Sequence, residues 1–413
     1  MVGNRIPVYF VGLSVAGYSL LAAGAAALDY SDSLLSVVLR SVIVLLAAIL
    51  LVRAVKRRNA NVVAVLMIAI GLFWVLYFLR IIYSTLLSLE PLSRPSEEYY
   101  IWAFGACFLP MLAAARTVPN ASSLTSTFRF TYGLLFLAVV LAVAFGSSMV
   151  VTQASDLENT GRLRLEMLNP ISLGHLGVTL AVFSVWRLMH KDECVQRTWR
   201  GNLLLVMGVL LGLYIMVAAN SRGPIIAACC CFLFIIAGSN FRRRSLMLLI
   251  GVCIVILLFP LATYLEQTLG ISVYDRLFSA DVASDSSRQL LYEVAFQNFS
   301  MSPFTGAGLE VRDLQTYPHN LIVEAFMTTG IFGGLLFIFF VGILALSALK
   351  LYKKKPEGGW IPLLFAQYLV ASQFSGAIYS STYFWLAIGL LIGLRRYKRD
   401  EVIGSAVPQT RAT

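Results

Sequence analysis

Charge is what this chain has least of. Only 13% of its 413 residues are Asp, Glu, Lys or Arg, while 59% are apolar, too few charges to solvate a globule of this length. A water-soluble enzyme is excluded, and lipid becomes the expected solvent. Histidine is scarcer still: His175, His190 and His319 are the only ones, and no Cys/His cluster has metal-ligand spacing, which argues against a zinc site. Neither a protein-held metal nor a cofactor is expected. Of the six cysteines, Cys107, Cys229, Cys230, Cys231 and Cys253 fall in apolar runs and Cys194 in a basic segment, so none is expected to staple an outer loop. No separate charged region, short apolar core and small-residue cleavage site precedes the first apolar run, which is therefore expected to be retained as a helix.

What is present is a series of apolar runs of about 20 residues, the length that crosses the hydrocarbon of a bilayer. Twelve can be drawn, near 8–28, 34–52, 61–82, 99–115, 131–152, 169–187, 202–218, 223–239, 245–263, 320–349, 360–375 and 379–394. The fold class this predicts is an all-α integral membrane protein with about 12 transmembrane helices. Lys and Arg collect on the cytoplasmic side of such proteins. Here they cluster at Arg53 to Arg58, at Arg116 and Arg129, from Arg187 to Arg200, at Arg242 to Arg244, from Lys350 to Lys355 and from Arg395 to Arg399. With Arg5 inside, these clusters put both termini in the cytoplasm. The net charge of +11 then reports topology and is no nucleic-acid footprint. The chain divides into spans one to nine (1–263), a large outer loop (264–319), spans ten to twelve (320–394) and a cytoplasmic tail (395–413).

Two outer connections, 83–98 and 153–168, are of medium length, and a loop as long as 264–319 is uncommon without a function. Within it, Leu291, Val294, Ala295 and Phe299 recur at helical spacing, which predicts an amphipathic helix lying at the membrane surface, N-capped by Asp285 or Ser286. Pro303 and the turn Gly306-Ala-Gly308 end that helix, and Tyr317-Pro-His319-Asn320 leads into the tenth span. Six arginines fall on the outer side against the positive-inside bias: Arg162, Arg164, Arg222, Arg276, Arg288 and Arg312. A guanidinium fork donates two parallel hydrogen bonds to a phosphate, so a convergent set would clamp an anion such as a lipid diphosphate. Each arginine can equally snorkel to headgroups or pair with Asp156, Glu166, Asp281 or Asp285. Arg222, wedged beside Gly223 and Pro224, is least suited to that.

His319 is the one histidine on the outer side near the long loop, and an unperturbed imidazole is well matched to accept a proton near neutrality. Tyr317, Asn320 and Glu324 are expected to support it. Asn320 suits the N-cap of the tenth span, which would aim His319. Glu324, about one turn further in, is a costly acid in lipid and calls for a partner, either His319 or, more readily, an arginine. Gly330 and Gly333 are read as small residues that let helices approach closely, and His175 as a satisfied histidine packed between helices.

The stretch His319-Asn320, nine residues, Gly330, two residues, Gly333 resembles the signature of the O-antigen ligase family. Arg222-Gly-Pro-Ile-Ile226 is similar to that family's Arg-x3-Leu element and departs from it in ending on Ile. The resemblance implies a GT-C-like membrane glycosyltransferase with a large periplasmic loop between its ninth and tenth spans. It implies inverting, metal-independent transfer of a preassembled glycan from undecaprenyl diphosphate to a sugar hydroxyl of the lipid A core, at the periplasmic face of the bacterial inner membrane, in lipopolysaccharide biosynthesis. His319 would then serve as catalytic base, and Arg222 and Arg288, with Arg162 and Arg312 behind them, would hold the diphosphate. An O-antigen polymerase uses the same donor. A protein O-oligosaccharyltransferase usually carries a further C-terminal region, which is not expected here. From a different class, twelve spans also fit a major-facilitator transporter, which should show two related halves and midplane polar sites. Neither is visible.

Overall fold

The structure is a computed structural model that describes residues 5–30, 32–54, 64–117, 121–148, 163–190, 198–239, 282–312 and 314–396, with isolated positions between 245 and 267. In chain order the helices are α1 (Ile6–Ala27), α2 (Ser33–Ala54), α3 (Val65–Leu87), α4 (96–114), α5 (Ala121–Phe145), α6 (Pro170–Met189), α7 (Trp199–Ala218), α8 (Arg222–Gly238), α9 (Val282–Met301), α10 (Leu321–Lys354), α11 (Trp360–Ala371) and α12 (Thr382–Arg396). Among the described residues, α1, α2, α3, α5, α6, α7 and α10 are long and apolar enough to cross a membrane. Their outer faces are bare of protein: Leu45, Ile68, Leu72, Leu203, Leu210 and Leu335 are all exposed. Apolar exposure on that scale is tolerable only in lipid, and the chain is an all-α integral membrane protein.

Most of the expected spans coincide with these helices. The ninth, 245–263, lies largely outside the described residues, as do Arg162, Arg276, Cys194 and Cys253. The fifth needs correction: α5 occupies Ala121–Phe145, about ten residues before the expected 131–152. Its first half is rich in Ser and Thr, yet Leu124, Thr127, Phe128 and Thr131 are buried against the bundle, so protein packing rather than hydropathy sets where it starts. The chain leaves α5 at Gly146 and forms a two-residue antiparallel ribbon, Ser147 opposite Arg164 and Ser148 opposite Leu163. In α4 the backbone turns π-helical over Ile101–Phe108.

Local chemistry fixes several helix starts. Asn169 caps α6, its side chain accepting from the Ser172 amide at 2.8 Å with Pro170 at the first turn, and Thr198 caps α7 through the Gly201 amide. α6 and α7 cross closely because a Cβ on Gly177 would meet the Gly212 carbonyl, and one on Gly212 the Gly177 carbonyl. α3, α10 and α12 join through an aromatic cluster in which Trp74 and Trp385 lie 4.6 Å apart at their ring centroids, with Phe73, Phe337 and Phe340 around them.

The helix α9 begins at Val282, so Asp285 and Ser286 fall inside its first turns and neither is the N-cap. One of its faces, Ala295 with Leu291 and Val294, packs on Val311, Val323 and Met327. Phe296 and Met301 stay exposed. After α9 the chain enters a break in α10. Gly330 has φ 69° and ψ −169°, outside helical geometry. The groups this break frees are taken by the loop, the Ile331 amide donating to the Pro303 carbonyl at 2.8 Å and the Ala307 amide to the Met327 carbonyl at 2.7 Å. A Cβ on Gly330 would strike the Phe304 carbonyl, and one on Gly306 (φ 78°) the Thr328 carbonyl. Gly330 therefore permits a left-handed break into which a loop packs, which corrects its reading as a helix-packing position. Gly333 follows one turn later, with the Thr329 side chain filling the space a methyl group would need.

Candidate active site

His319 stands between α9 and α10 in the left-handed backbone region, with φ 57°. A non-glycine residue there is strained, and such strain persists only where the surroundings enforce it. They do so from both sides. Tyr317 packs its ring against the imidazole, centroids 4.4 Å apart, and Tyr317 in turn meets Tyr379 edge to face. On the other side Asn320 caps α10, its Oδ1 accepting from the Ile322 and Val323 amides at 3.0 and 3.1 Å. Its Nδ2 donates to the Gln373 carbonyl at 3.4 Å. The expected cap is thus in place, and it is also tied to the loop after α11. Burial lowers the pKa of His319 below its ordinary value, and the positive charge of Arg288 lowers it further. Arg288 and His319 are therefore within electrostatic reach of each other.

Glu324 is fully buried one turn below. It accepts from the Ile378 amide with both oxygens at 3.0 Å and from the Tyr77 hydroxyl at 3.2 Å. The expectation that it pairs with an arginine or orients His319 is corrected: a backbone amide and a phenol satisfy it, and it pins the start of the 378 turn to α10. Glu310 does similar work in the loop itself, buried and accepting from the Ser93 amide at 2.9 Å and the Tyr99 hydroxyl at 2.6 Å. That acid carried no signal of its own in the sequence beyond lying between Leu309 and Val311.

The expected arginines separate. Arg312 donates to the Ala307 carbonyl at 2.7 Å and lies 3.8 Å from Glu90, so it braces the loop. Arg222 is the first residue of α8, after Asn220 in the left-handed region. The place a Cβ would take on the adjoining Gly223 is 3.8 Å from Phe374 and 3.9 Å from His175 Nε2. Gly223, next to Arg222, and Asn320 thus flank the same loop, which approaches one through Phe374 and the other through Gln373. Arg288 is the arginine brought to His319.

Beside Tyr317 lies a cavity of about 300 Å³, bounded by α1, α2, α4, α6, α11 and α12. His175 lines it with both ring nitrogens lacking a hydrogen-bond partner although the residue is only 6% exposed. The expected satisfied histidine is therefore corrected. His190, by contrast, stacks on Trp186 and places Nδ1 3.0 Å from the Trp186 carbonyl.

Residues 207–338 match the family model described as O-antigen ligase. The match, over about a third of the chain, supports an O-antigen ligase family member. No curated protein matches the chain. The segment takes in Arg222, Arg288, Arg312, Tyr317, His319, Asn320, Glu324, Gly330 and Gly333, whereas Arg162 falls before it. The match, together with the apolar helices, supports a multi-pass membrane enzyme of glycosyltransferase type. Several elements that hold the segment's loop in place lie outside it, namely Tyr77, Glu90, Ser93, Tyr99 and the 372–379 turn.

Proposed function

We propose that the chain is an O-antigen ligase that moves a preassembled glycan from undecaprenyl diphosphate to a sugar hydroxyl of the lipid A core, inverting the anomeric carbon and using no metal. The observation that carries this reading is His319 held in left-handed backbone between Tyr317 and the Asn320 cap, with the Arg288 charge beside it. An imidazole whose pKa is pushed below 6.5 is neutral at pH 7, with a free lone pair. It accepts the acceptor hydroxyl's proton as that oxygen bonds to the anomeric carbon and the carbon–oxygen bond to the diphosphate breaks on the opposite face. The departing diphosphate takes the electron pair, and Arg288 and Arg222 stabilise its charge. Arg162 and Arg312 belong to the same proposed set in supporting places, and for Arg312 the present partners are a carbonyl and Glu90. The site faces the periplasm of the inner membrane, with both termini cytoplasmic and the 264–319 loop as the catalytic element.

The test is purified protein in detergent with an undecaprenyl-diphosphate-linked glycan, lipid A-core and EDTA, followed by gel analysis of the lipid A fraction. Glycan on lipid A-core that disappears with His319→Ala supports the ligase. Longer lipid-linked chains without that transfer would make the protein a polymerase, and dependence on added divalent metal would overturn the metal-free step.

A further inference from the structure

The cavity beside Tyr317 has a cation in its wall. Arg40, on the second turn of α2, sets its guanidinium 3.9 Å from the centroid of the Trp102 ring and 5.5 Å from that of Tyr18. Among the described residues no hydrogen bond or salt bridge to it is found; the two ring faces hold it, and the charge of Glu98 acts on it only through space. An arginine inside an apolar span is costly and ordinarily finds a carboxylate or marks a ligand path. Cation–π contact holds the charge in place without satisfying its five N–H donors.

Two further polar groups of the wall point to the same conclusion. His175 presents two unpartnered ring nitrogens, and Ser14 an unpartnered hydroxyl. Buried polar atoms left without partners are destabilising, and such a cluster is explained by a polar ligand that completes it. The cavity's position narrows the ligand. Arg40, Ser172, His175 and Thr382 all lie in the first turns of α2, α6 and α12, the ends that share a side with Asn320 at the start of α10. Tyr317 is a wall of the cavity and at the same time the ring packed on His319, and His175 reaches the Gly223 turn next to Arg222. One ring thus separates the cavity from the proposed base.

A volume of about 300 Å³ stands at the small end of ligand sites, which run from about 300 to 1,000 Å³. Aromatic walls suit the C–H faces of a sugar ring, hydroxyls and imidazole suit its OH groups, and a lone guanidinium suits one negative charge. We propose that this cavity is a subsite for one acidic sugar of a glycan substrate, its carboxylate or phosphate taken by Arg40 and its hydroxyls by His175 and Ser14. The proposal rests on the glycan-transfer reading above. The acidic sugar can come from the donor glycan or from the acceptor core, and the two sources are separable by kinetics.

Binding is read without turnover on detergent-purified protein carrying 19F-labelled tryptophan, with the Trp102 resonance assigned through Trp102→Phe. Glucuronic acid and glucose 6-phosphate are expected to shift that resonance saturably while glucose does not, and Arg40→Gln to weaken the response about tenfold or more. Arg40→Lys, keeping charge without the fork, is expected to fall between, which separates charge from a folding defect. Glucose acting as well as the sugar acids, inorganic phosphate alone acting as well as glucose 6-phosphate, or an undiminished response in Arg40→Gln would overturn the subsite. In the transfer assay, Arg40→Gln should raise KM about tenfold for the one substrate that carries the acid, donor or acceptor, with kcat within about twofold. Reduction of that glycan's carboxylates, or removal of its phosphates where those carry the charge, should erase the difference. An unchanged KM for both substrates sinks the proposal. Sugar-acid binding that persists in a protein transferring glycan to no acceptor would instead sink the ligase reading and leave the subsite standing.

Discussion

The amide of Ile331 donates to the carbonyl of Pro303 at 2.8 Å, which fastens the loop after α9 into the break of α10. The break depends on Gly330, whose φ of 69° and ψ of −169° belong to a region that essentially only glycine occupies, at a cost to other residues of about 1–3 kcal/mol. A side chain there also meets the Phe304 carbonyl. Gly330→Ala is expected to destabilise by about 2 kcal/mol or more, lowering the thermal midpoint in detergent. Gly342→Ala, where a Cβ meets nothing, should leave the midpoint unchanged or slightly higher. Equal midpoints for the two variants would contradict this account of the break.

Asn320→Ala removes both cap hydrogen bonds and the link to Gln373. A lost cap costs about 0.5–2 kcal/mol, and His319 loses one of the two supports that hold its backbone. Asn320→Asp retains the acceptor for Ile322 and Val323 but not the donor to Gln373. Calorimetry and initial rates should rank the proteins wild type, Asp, Ala on both scales. An Ala variant equal to wild type in rate would show that the cap does not aim His319.

Glu324→Gln keeps an acceptor for the Ile378 amide and the Tyr77 hydroxyl, whereas Glu324→Leu leaves both orphaned in the bundle. The Leu variant should lose about 1–3 kcal/mol per orphaned group and the Gln variant much less. Neither should move the acid limb of the rate profile. A shifted limb in Glu324→Gln would restore Glu324 as the partner that orients His319.

The pH dependence follows from His319. Its folded pKa lies below 6.5, through burial first and the Arg288 charge second. The neutral imidazole is the form the fold favours, so its contribution to stability is complete above pH 6.5 and is lost as pH falls through the folded pKa. Transfer should fail over the same interval, with an acid limb below pH 6.5. Arg288→Gln removes the smaller of the two causes and should move the limb upward while leaving it under 6.5, in addition to slowing transfer. A limb that stays put in that variant would separate Arg288 from His319.

Helix placement was legible wherever hydropathy and caps agreed, as at α6, where Asn169-Pro170 precedes the apolar run, and at α10, where Asn320 does. It failed at α5, whose Ser and Thr residues are buried by neighbouring helices that no single-segment pattern contains. The position of His319 at the start of α10, beside the Asn320 cap, could be read from the motif. The Gly330 break could not, because a glycine spacing in an apolar run reads equally as close helix packing, and only the loop at Pro303–Ala307 decides between them. Glu324 was misassigned for a related reason: its partner is a backbone amide at Ile378, a group that has no letter in the sequence. Arg40 stood in plain view inside an apolar run, but its stacking on Trp102 depends on a neighbouring helix that no single-segment pattern contains.

Two left-handed glycines, Gly306 in the loop and Gly330 in the span, each leave room for the other segment's backbone. Helix α9, the loop and the first turns of α10 therefore form one interlocked unit, whose seam lies beyond Gly333 and not near Asn320. A chimera joined at 320 would set a foreign loop against a helix bent for a different one, whereas a junction in the straight helix near Gly342 carries lock and key together.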